Sequence, residues 1–259
     1  MCKNPIGLFD SGVGGTSIFK AIHELLPNES TIYLADSANA PYGPKGKDWI
    51  INRSKNNTEF LLEQNCKLIV LACNTATTNA ISFLRETYNV QFIGIEPAIK
   101  PASLNTKTKT IGVLATKGTL SSALFQEALS IYKANVKIVE QVGEGIVPLI
   151  ESGKLYSDEM TMLLKSYLEP MVEANIDYLV LGCTHYPYLI PQLEALLPQH
   201  IKIIDSGDAV AIQTKHILSQ FDLENNSNEK SIQKFYTNGK VEVLKSLVSP
   251  LDEIQKKEF

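Results

Sequence analysis

The sequence predicts an α/β fold in which one unit, built around a parallel sheet, is used twice. Three features of the chain point there. Short apolar runs alternate with longer amphipathic stretches, the pattern of strands joined by helices around a parallel sheet. Two of those runs, Leu68-Ile69-Val70-Leu71-Ala72-Cys73-Asn74-Thr75 and Tyr178-Leu179-Val180-Leu181-Gly182-Cys183-Thr184-His185, share the frame apolar-Val-Leu-small-Cys with a threonine just after. Each reads as a fully buried strand that stops at a thiol and hydrogen-bonding residues.

In chain order, Ile6–Phe9 is an apolar run that stops at a glycine-rich turn, and the amphipathic Gly15–Leu26 follows as a helix. Thr31–Ala35, with β-branched and aromatic residues, is the second strand. Lys47–Gln64 is expected as a long helix, Leu68–Ala72 as a strand, Thr77–Tyr88 as a helix and Gln91–Ile95 as a strand. Pro97, Pro101 and the polar Asn105–Lys109 stretch then interrupt the rhythm, which places a domain boundary there. Beyond it, strands are expected over Thr110–Ala115, Val136–Glu140, Tyr178–Gly182 and Lys202–Asp205, with helices near Ser121–Lys133, Ser157–Ala174 and Tyr188–Leu197. After Asp205-Ser206-Gly207-Asp208, a helix near Ala209–Ser219 would return the C-terminal segment to the first domain. The expected division is therefore 1–97 plus 209–259, and 98–208. Glu224–Glu229 reads as a solvated loop, and the polar tail Leu251–Phe259 as a fraying end.

A chain of 259 residues can form one large domain or two compact ones. With a net charge of −4 and no cluster of Lys and Arg, nucleic-acid binding is not expected. No apolar run is long enough to cross a bilayer, so no membrane association is expected. Met1-Cys2-Lys3-Asn4-Pro5 leads directly into a strand-like run, so no signal peptide is expected either. Four cysteines are too few for a disulfide framework and match no zinc spacing. Free thiols in a reducing, cytoplasmic setting are the expectation.

In open parallel sheets ligands sit beyond the carboxyl ends of the strands, and the informative residues cluster at such ends. The first strand runs into Asp10-Ser11-Gly12-Val13-Gly14-Gly15, whose glycines allow a tight turn and expose backbone N–H groups suited to a carboxylate or phosphate. Gly12-x-Gly14 with Asp36 ending the second strand also resembles a dinucleotide site. However, Ser17 holds the third glycine position, and Asp10 would repel a pyrophosphate. A plain glycine turn with Asp10 as a helix cap accounts for the glycines alone. Pro41-Tyr42-Gly43-Pro44-Lys45-Gly46 is a turn whose N–H groups could hold a substrate carboxylate.

Cys2 and Cys66 lack polar context and read as small buried hydrophobes. Cys73 and Cys183 differ, because each marks the change from strand to helix-forming sequence, where the positive end of a helix favours a thiolate. A thiol is otherwise mostly protonated at neutral pH, with an ordinary pKa of about 8.5. His185 titrates near neutrality and is the natural proton partner of Cys183; Asp10 is the candidate beside Cys73. Asn74, Thr75 and Thr184 suit an ammonium or carboxylate. Two thiols facing each other across a cleft can take a proton from one face of a carbon and return one to the other, which is racemisation. A zinc site from Cys73, Cys183 and His185 would lack a fourth donor. A papain-like Cys–His nucleophile would leave the second cysteine unit without a function.

Phe9-Asp10-Ser11-Gly12-Val13-Gly14-Gly15, Pro41-Tyr42-Gly43, Cys73-Asn74-Thr75-Ala76, Glu96-Pro97 and Gly182-Cys183-Thr184-His185-Tyr186-Pro187 together resemble the glutamate racemases, in that family's order. The resemblance implies two similar three-layer α/β domains with mainly parallel sheets, pseudo-twofold related, with the active site in the interdomain cleft. It implies cofactor-independent interconversion of L- and D-glutamate, for peptidoglycan, by a cytoplasmic homodimer that uses neither cofactor nor metal. Cys73 and Cys183 match the two acid/base thiols, Cys73 acting on the D-enantiomer and Cys183 on the L-enantiomer. Asp10, His185 and, more distantly, Glu151 match assisting residues. The substrate contacts implied are Asp10, Ser11, Tyr42, Gly43, Asn74, Thr75, Thr116, Thr184 and His185. Aspartate racemase is the nearest alternative, although its second cysteine motif usually carries glutamate where this chain has His185. A non-catalytic amino-acid-binding protein is another, but clamping a ligand requires no acid/base pair.

Overall fold

The computed structural model describes residues 3–227, 230–248 and 253–259. The first half runs β1 (Ile6–Asp10), α1 (Thr16–Leu25), β2 (Thr31–Ala35), α2 (Lys47–Glu63), β3 (Leu68–Leu71), α3 (Asn74–Thr87) and β4 (Gln91–Gly94). The second half runs α4 (Ile99–Asn105), β5 (Thr110–Ala115), α5 (Lys117–Leu120), α6 (Ala123–Ser130), β6 (Lys137–Val142), α7 (Ile146–Glu151), α8 (Asp158–Glu173), β7 (Tyr178–Gly182), α9 (Ile190–Leu196) and β8 (Lys202–Ile204). The chain then returns through α10 (Gly207–Gln220), β9 (Gln233–Thr237), α11 (Val241–Lys245) and β10 (Glu253–Lys256).

Two sheets result, with orders β10-β9-β2-β1-β3-β4 and β6-β5-β7-β8. Every pairing among the described residues is parallel. The block β2-β1-β3-β4 and the whole of β6-β5-β7-β8 have the same order when each half is counted from its own first strand. β3 and β7 are therefore equivalent, and so are the cysteines that follow them.

Side chains alternate across each strand, so the sheets bury both faces. Ile6, Leu8, Leu68 and Val70 face a core shared with Ile18 and Ile22 of α1 and Val210 and Leu218 of α10. Phe9, Ile69 and Leu71 face the opposite way, onto Ile50 and Leu61 of α2 and Ala80 and Leu84 of α3. In the second sheet, Leu179 and Leu181 pack with Leu164 and Leu193, while Val113 and Val180 pack with Ala102 and Phe125. Each sheet thus has helices on both faces. The first of these cores is continuous from Leu8 to Leu181, so it joins the two halves.

Local chemistry explains the helix starts. Ser157 caps α8 by accepting the Met160 N–H at 3.2 Å, with Asp158 and Glu159 in the first turn, where the helix dipole favours acids. Of the two prolines expected to interrupt the chain, Pro97 lies in the irregular segment between β4 and α4, but Pro101 lies in the first turn of α4, a position that needs no intrahelical N–H bond. The chain crosses between the halves at Ile95–Ala98 and again at Asp205–Ser206, and Ser206 Oγ donates to the Glu96 carbonyl, tying the crossings together.

The C-terminal segment departs most from expectation. β9 and β10 are short, half-polar strands added beyond β2, with β10 at the sheet edge and no apolar run to announce either. The tail does not fray, since Glu253–Lys256 pairs with β9; Leu251 and Asp252, like Cys2, lie outside the described residues. The expected solvated loop is anchored at Asn225, which is buried and whose N–H donates to Glu29 Oε1 at 2.8 Å; Asn228 and Glu229 are outside the described residues. Glu29 in turn pairs with Lys67 at 2.6 Å, with side chains 4% and 2% exposed. Removing one partner of a buried pair strands the other charge. Lys67→Met should therefore lower stability by about 3–5 kcal/mol in urea unfolding, whereas a change under about 1 kcal/mol would show the pair to be dispensable.

Candidate active site

The ends of β1, β3, β5 and β7 converge on one small cavity. It is lined by Ser11, Pro41, Tyr42, Cys73, Asn74, Thr75, Thr116, Val147, Cys183, Thr184 and His185, and it holds about 10 Å³. That is roughly the room one water needs. Most of the sequence-predicted residues line it. Asp10, Gly43 and Glu151 do not: Asp10 bonds to Thr184 and Glu151 to His185 from outside the lining, and Gly43 packs against the backbone of Gly118.

Cys73 follows β3 and caps α3, its Sγ accepting the Ala76 N–H at 3.4 Å; helix α3 begins at Asn74, earlier than the expected Thr77. Its second neighbour is Ser11 Oγ at 3.5 Å. Burial pushes the Cys73 thiol up to about 12, and the charge of Asp10 adds to the rise. Cys66 is raised to about 12 by burial alone and packs as a hydrophobe beside Gly7.

Cys183 follows β7 and meets a different neighbour: His185 Nδ1 lies 3.7 Å from its Sγ. On its other side His185 Nε2 is 2.6 Å from Glu151 Oε1. Burial works against charge on the ring. The hydrogen bonds and charges of Cys183 and Glu151 outweigh it and hold His185 protonated well above its ordinary range. Glu151 stands behind the histidine rather than in the cavity, and its Oε1 also accepts the Val13 N–H at 2.6 Å.

Asp10 is fully buried beneath the cavity floor. Its Oδ1 accepts the Gly12 N–H at 2.7 Å and its Oδ2 accepts Thr184 Oγ1–H at 2.8 Å, so it joins the first half to the second. Burial raises its carboxyl from 3.8 to about 6, although the His185 charge and these hydrogen bonds pull it down.

The glycine turn does something the sequence did not suggest. Two of its N–H groups are already taken by the protein's own carboxylates, Gly12 by Asp10 and Val13 by Glu151. A Cβ on Gly12 would lie 1.8 Å from Glu151 Oε1, and one on Gly14 would lie 2.2 Å from His185 Nδ1. The glycines are there so that side chains of the second half can press against the backbone of the first. Asp36 likewise has no capacity left for a ribose: it accepts from Arg53 at 2.6 and 2.7 Å, from Asn39 at 2.8 Å, and from Tyr42 and Asn238. This network holds Tyr42 over the cavity, with Asn57 donating to its phenol oxygen at 3.1 Å.

Opposite, Thr75 Oγ1 is 2.8 Å from Thr116 Oγ1, and Thr119 Oγ1 lies within hydrogen-bond reach of both. Asn74 is 3% exposed, and neither polar atom of its side chain has a partner within the protein. Such an orphaned amide lining a cavity is suited to a ligand. Among the described residues no group of three or more His, Cys, Asp and Glu could hold a metal ion, and no helix is long and apolar enough to cross a membrane.

A sequence profile of the Asp/Glu/Hydantoin racemase family matches residues 6–214. The chain belongs to that family. A glutamate racemase of Ralstonia pickettii is 43% identical over 247 residues, covering 95% of this chain and 87% of the relative. The crystal structure of Escherichia coli glutamate racemase with L-glutamate and the activator UDP-MurNAc-Ala superimposes with a TM-score of 0.86 at 31% identity, over 98% of each chain. That of the Francisella tularensis glutamate racemase with D-glutamate gives 0.85 at 28% identity, over 99% of this chain and 98% of that one.

Within this racemase-family chain, Arg53, Asn57, Thr119 and Asn238 escaped the sequence reading. Only Asp36 gave a signal, and it pointed to a ribose instead of to Tyr42. Asp10 also carries a cost. Its pKa is higher folded than unfolded, so its contribution is complete below about pH 4 and is lost as pH rises through about 6. Asp10→Asn cannot titrate. Between about pH 4 and pH 8 its stability relative to the parent should improve by up to roughly 3 kcal/mol in urea unfolding. A pH-independent difference would mean that the carboxyl titrates normally.

Proposed function

We propose that this protein interconverts L- and D-glutamate by proton transfer between two cysteines and the α-carbon, without a cofactor. One observation carries the reading: Cys73 and Cys183 end equivalent strands of two sheets with the same order and line the same cavity. An amino-acid-binding module needs no such pair. Family membership and the glutamate racemases among its relatives support the substrate, as does His185 in the position where aspartate racemases usually carry glutamate.

In the L-to-D direction Cys183 starts as thiolate and takes the α-proton. An imidazolium at His185 supplies the counter-charge such a base needs. The carbanion is then protonated on its other face by Cys73, whose raised pKa keeps it in the thiol form required of a donor. The step leaves Cys183 as thiol and Cys73 as thiolate, ready for the reverse direction. Ser11, Tyr42, Gly43, Asn74, Thr75, Thr116 and Thr184 hold the substrate, with Asp10 and Glu151 supporting the two thiols. Closure of the site around the substrate would exclude water and strengthen these contacts.

The division into domains 1–97 plus 209–259 and 98–208 belongs to the same reading, with the substrate held between them. So does the setting implied by the resemblance: a cytoplasmic homodimer supplying D-glutamate for peptidoglycan. Glutamate is larger than the cavity, so the halves must part to admit it.

Chiral analysis after incubating the purified protein with L-glutamate, and separately with L-aspartate, tests the reading. D-glutamate alone is expected; D-aspartate alone would overturn the substrate, and no product would overturn the two-thiol pair. Cys73→Ser and Cys183→Ser should each lower turnover by at least about 10³-fold while glutamate binding persists. Loss of the histidine's counter-charge acts at one thiol, so His185→Asn should slow L-to-D turnover about 10²-fold. An unaltered rate in that direction would remove His185 from the mechanism.

A further inference from the structure

Gly118 lies buried in the short helix α5, where Thr116 Oγ1 caps the helix by accepting the Thr119 N–H at 3.3 Å. Its φ is not in the left-handed region, so backbone conformation does not call for glycine. Inside a helix alanine is favoured over glycine by about 1 kcal/mol, so helix propensity does not call for it either. Space does. A Cβ on Gly118 would lie 2.7 Å from Gly43 Cα and 2.8 Å from Thr75 Cγ2, and one on Gly43 would lie 3.1 Å from Gly118 N. Carbon atoms in contact ordinarily sit about 3.5–4.0 Å apart.

The contact has little room to give. Gly43 presents backbone, and the preceding residue, Tyr42, is locked by its phenol to Asp36, which Arg53 clamps with two hydrogen bonds. A methyl group at position 118 must therefore push the α5 side away from the Tyr42–Gly43 turn by roughly 1 Å. The hydroxyl cluster next to it, Thr75 with Thr116 at 2.8 Å and Thr119 with each of them, spans the same junction between the halves.

The geometry points to Gly118 as a positioning residue: by carrying no side chain it lets the halves close until both thiols flank one carbon. This rests on the two-thiol reading above. Racemisation needs both cysteines at the α-carbon at once. Exchange of the α-proton with retention needs only one, since the proton passes to that thiol, is replaced by deuterium from water, and a deuteron returns to the same face. Spreading the halves should therefore penalise inversion more than exchange.

The test uses the full-length protein in D₂O with L-glutamate, following inversion by chiral chromatography and α-deuteration of the unconverted L-isomer by mass spectrometry. Gly118→Ala should lower kcat for inversion by about 10²-fold, the effect of a misplacement of about 1 Å, and raise the ratio of exchange to inversion at least about 10-fold. Lys117→Ala, an exposed neighbour, should leave both rates unchanged. Should Gly118→Ala fail to fold, Thr119→Val removes the hydroxyl that binds both Thr75 and Thr116. It should shift the ratio in the same direction by at least about 3-fold. An unchanged inversion rate, or inversion and exchange falling in proportion, overturns the inference. A wild type that does not racemise glutamate removes the two-thiol reading and this inference with it; a wild type that does, with the ratio unmoved in the variants, removes this inference alone.

Discussion

Around the site, the two halves of this protein meet with side chains set directly on glycine backbone, and at one point backbone against backbone. Glu151 presses on Gly12, His185 on Gly14, and Gly118 on Gly43. Everything at the site follows from that closeness. It lets one carboxylate oxygen of Glu151 accept from Val13 of the first half while holding His185 of the second. It lets Asp10, at the end of β1, reach Thr184, after β7. A side chain at Gly12 or Gly14 would displace Glu151 or His185 from its hydrogen bonds, and one at Gly118 would meet the backbone of Gly43, so the glycines and the polar groups form one dependent set.

Because the halves fit so closely, charged groups are buried that would ordinarily stay in water. Asp10 and His185 are both raised, for opposite reasons. Burial drives the rise of Asp10 towards its neutral form, whereas at His185 the hydrogen bonds and charges of Cys183 and Glu151 overcome burial and favour the charged form. The two thiols also differ: Cys73 has a helix N-terminus and a hydroxyl as neighbours, Cys183 an imidazole. Equivalent places in the fold are thus chemically unequal, as the proposed action of two thiols on opposite faces of one carbon requires.

Behind the lining residues lies a supporting shell made from distant parts of the chain. Tyr42 is held by Asp36, and Asp36 by Arg53 from α2 and Asn238 from the C-terminal segment that returns after α10. The return segment is therefore more than an end of chain. β9 and β10 extend the first sheet, and Asn238, just past β9, helps fix a residue over the cavity.

The sequence by itself determined the repeated α/β unit, because strands buried on both faces must be near-continuous apolar runs. β2, β5 and β7 were legible to the residue for that reason, and the matched Cys73 and Cys183 came with β3 and β7. Local pattern does not carry β9 and β10, which are added to the sheet beyond β2 by pairing, nor α4, whose proline sits where a helix tolerates it. Nor does it carry the purpose of the glycines or of Asp36. The turn after β1 looked like a cradle for a ligand and is a seat for Glu151 and His185, residues more than a hundred positions away. Hydrophobic periodicity is a local property that the chain displays along its length. Which backbone needs room, and which carboxylate is already satisfied, depends on contacts that exist only once the two halves are folded together.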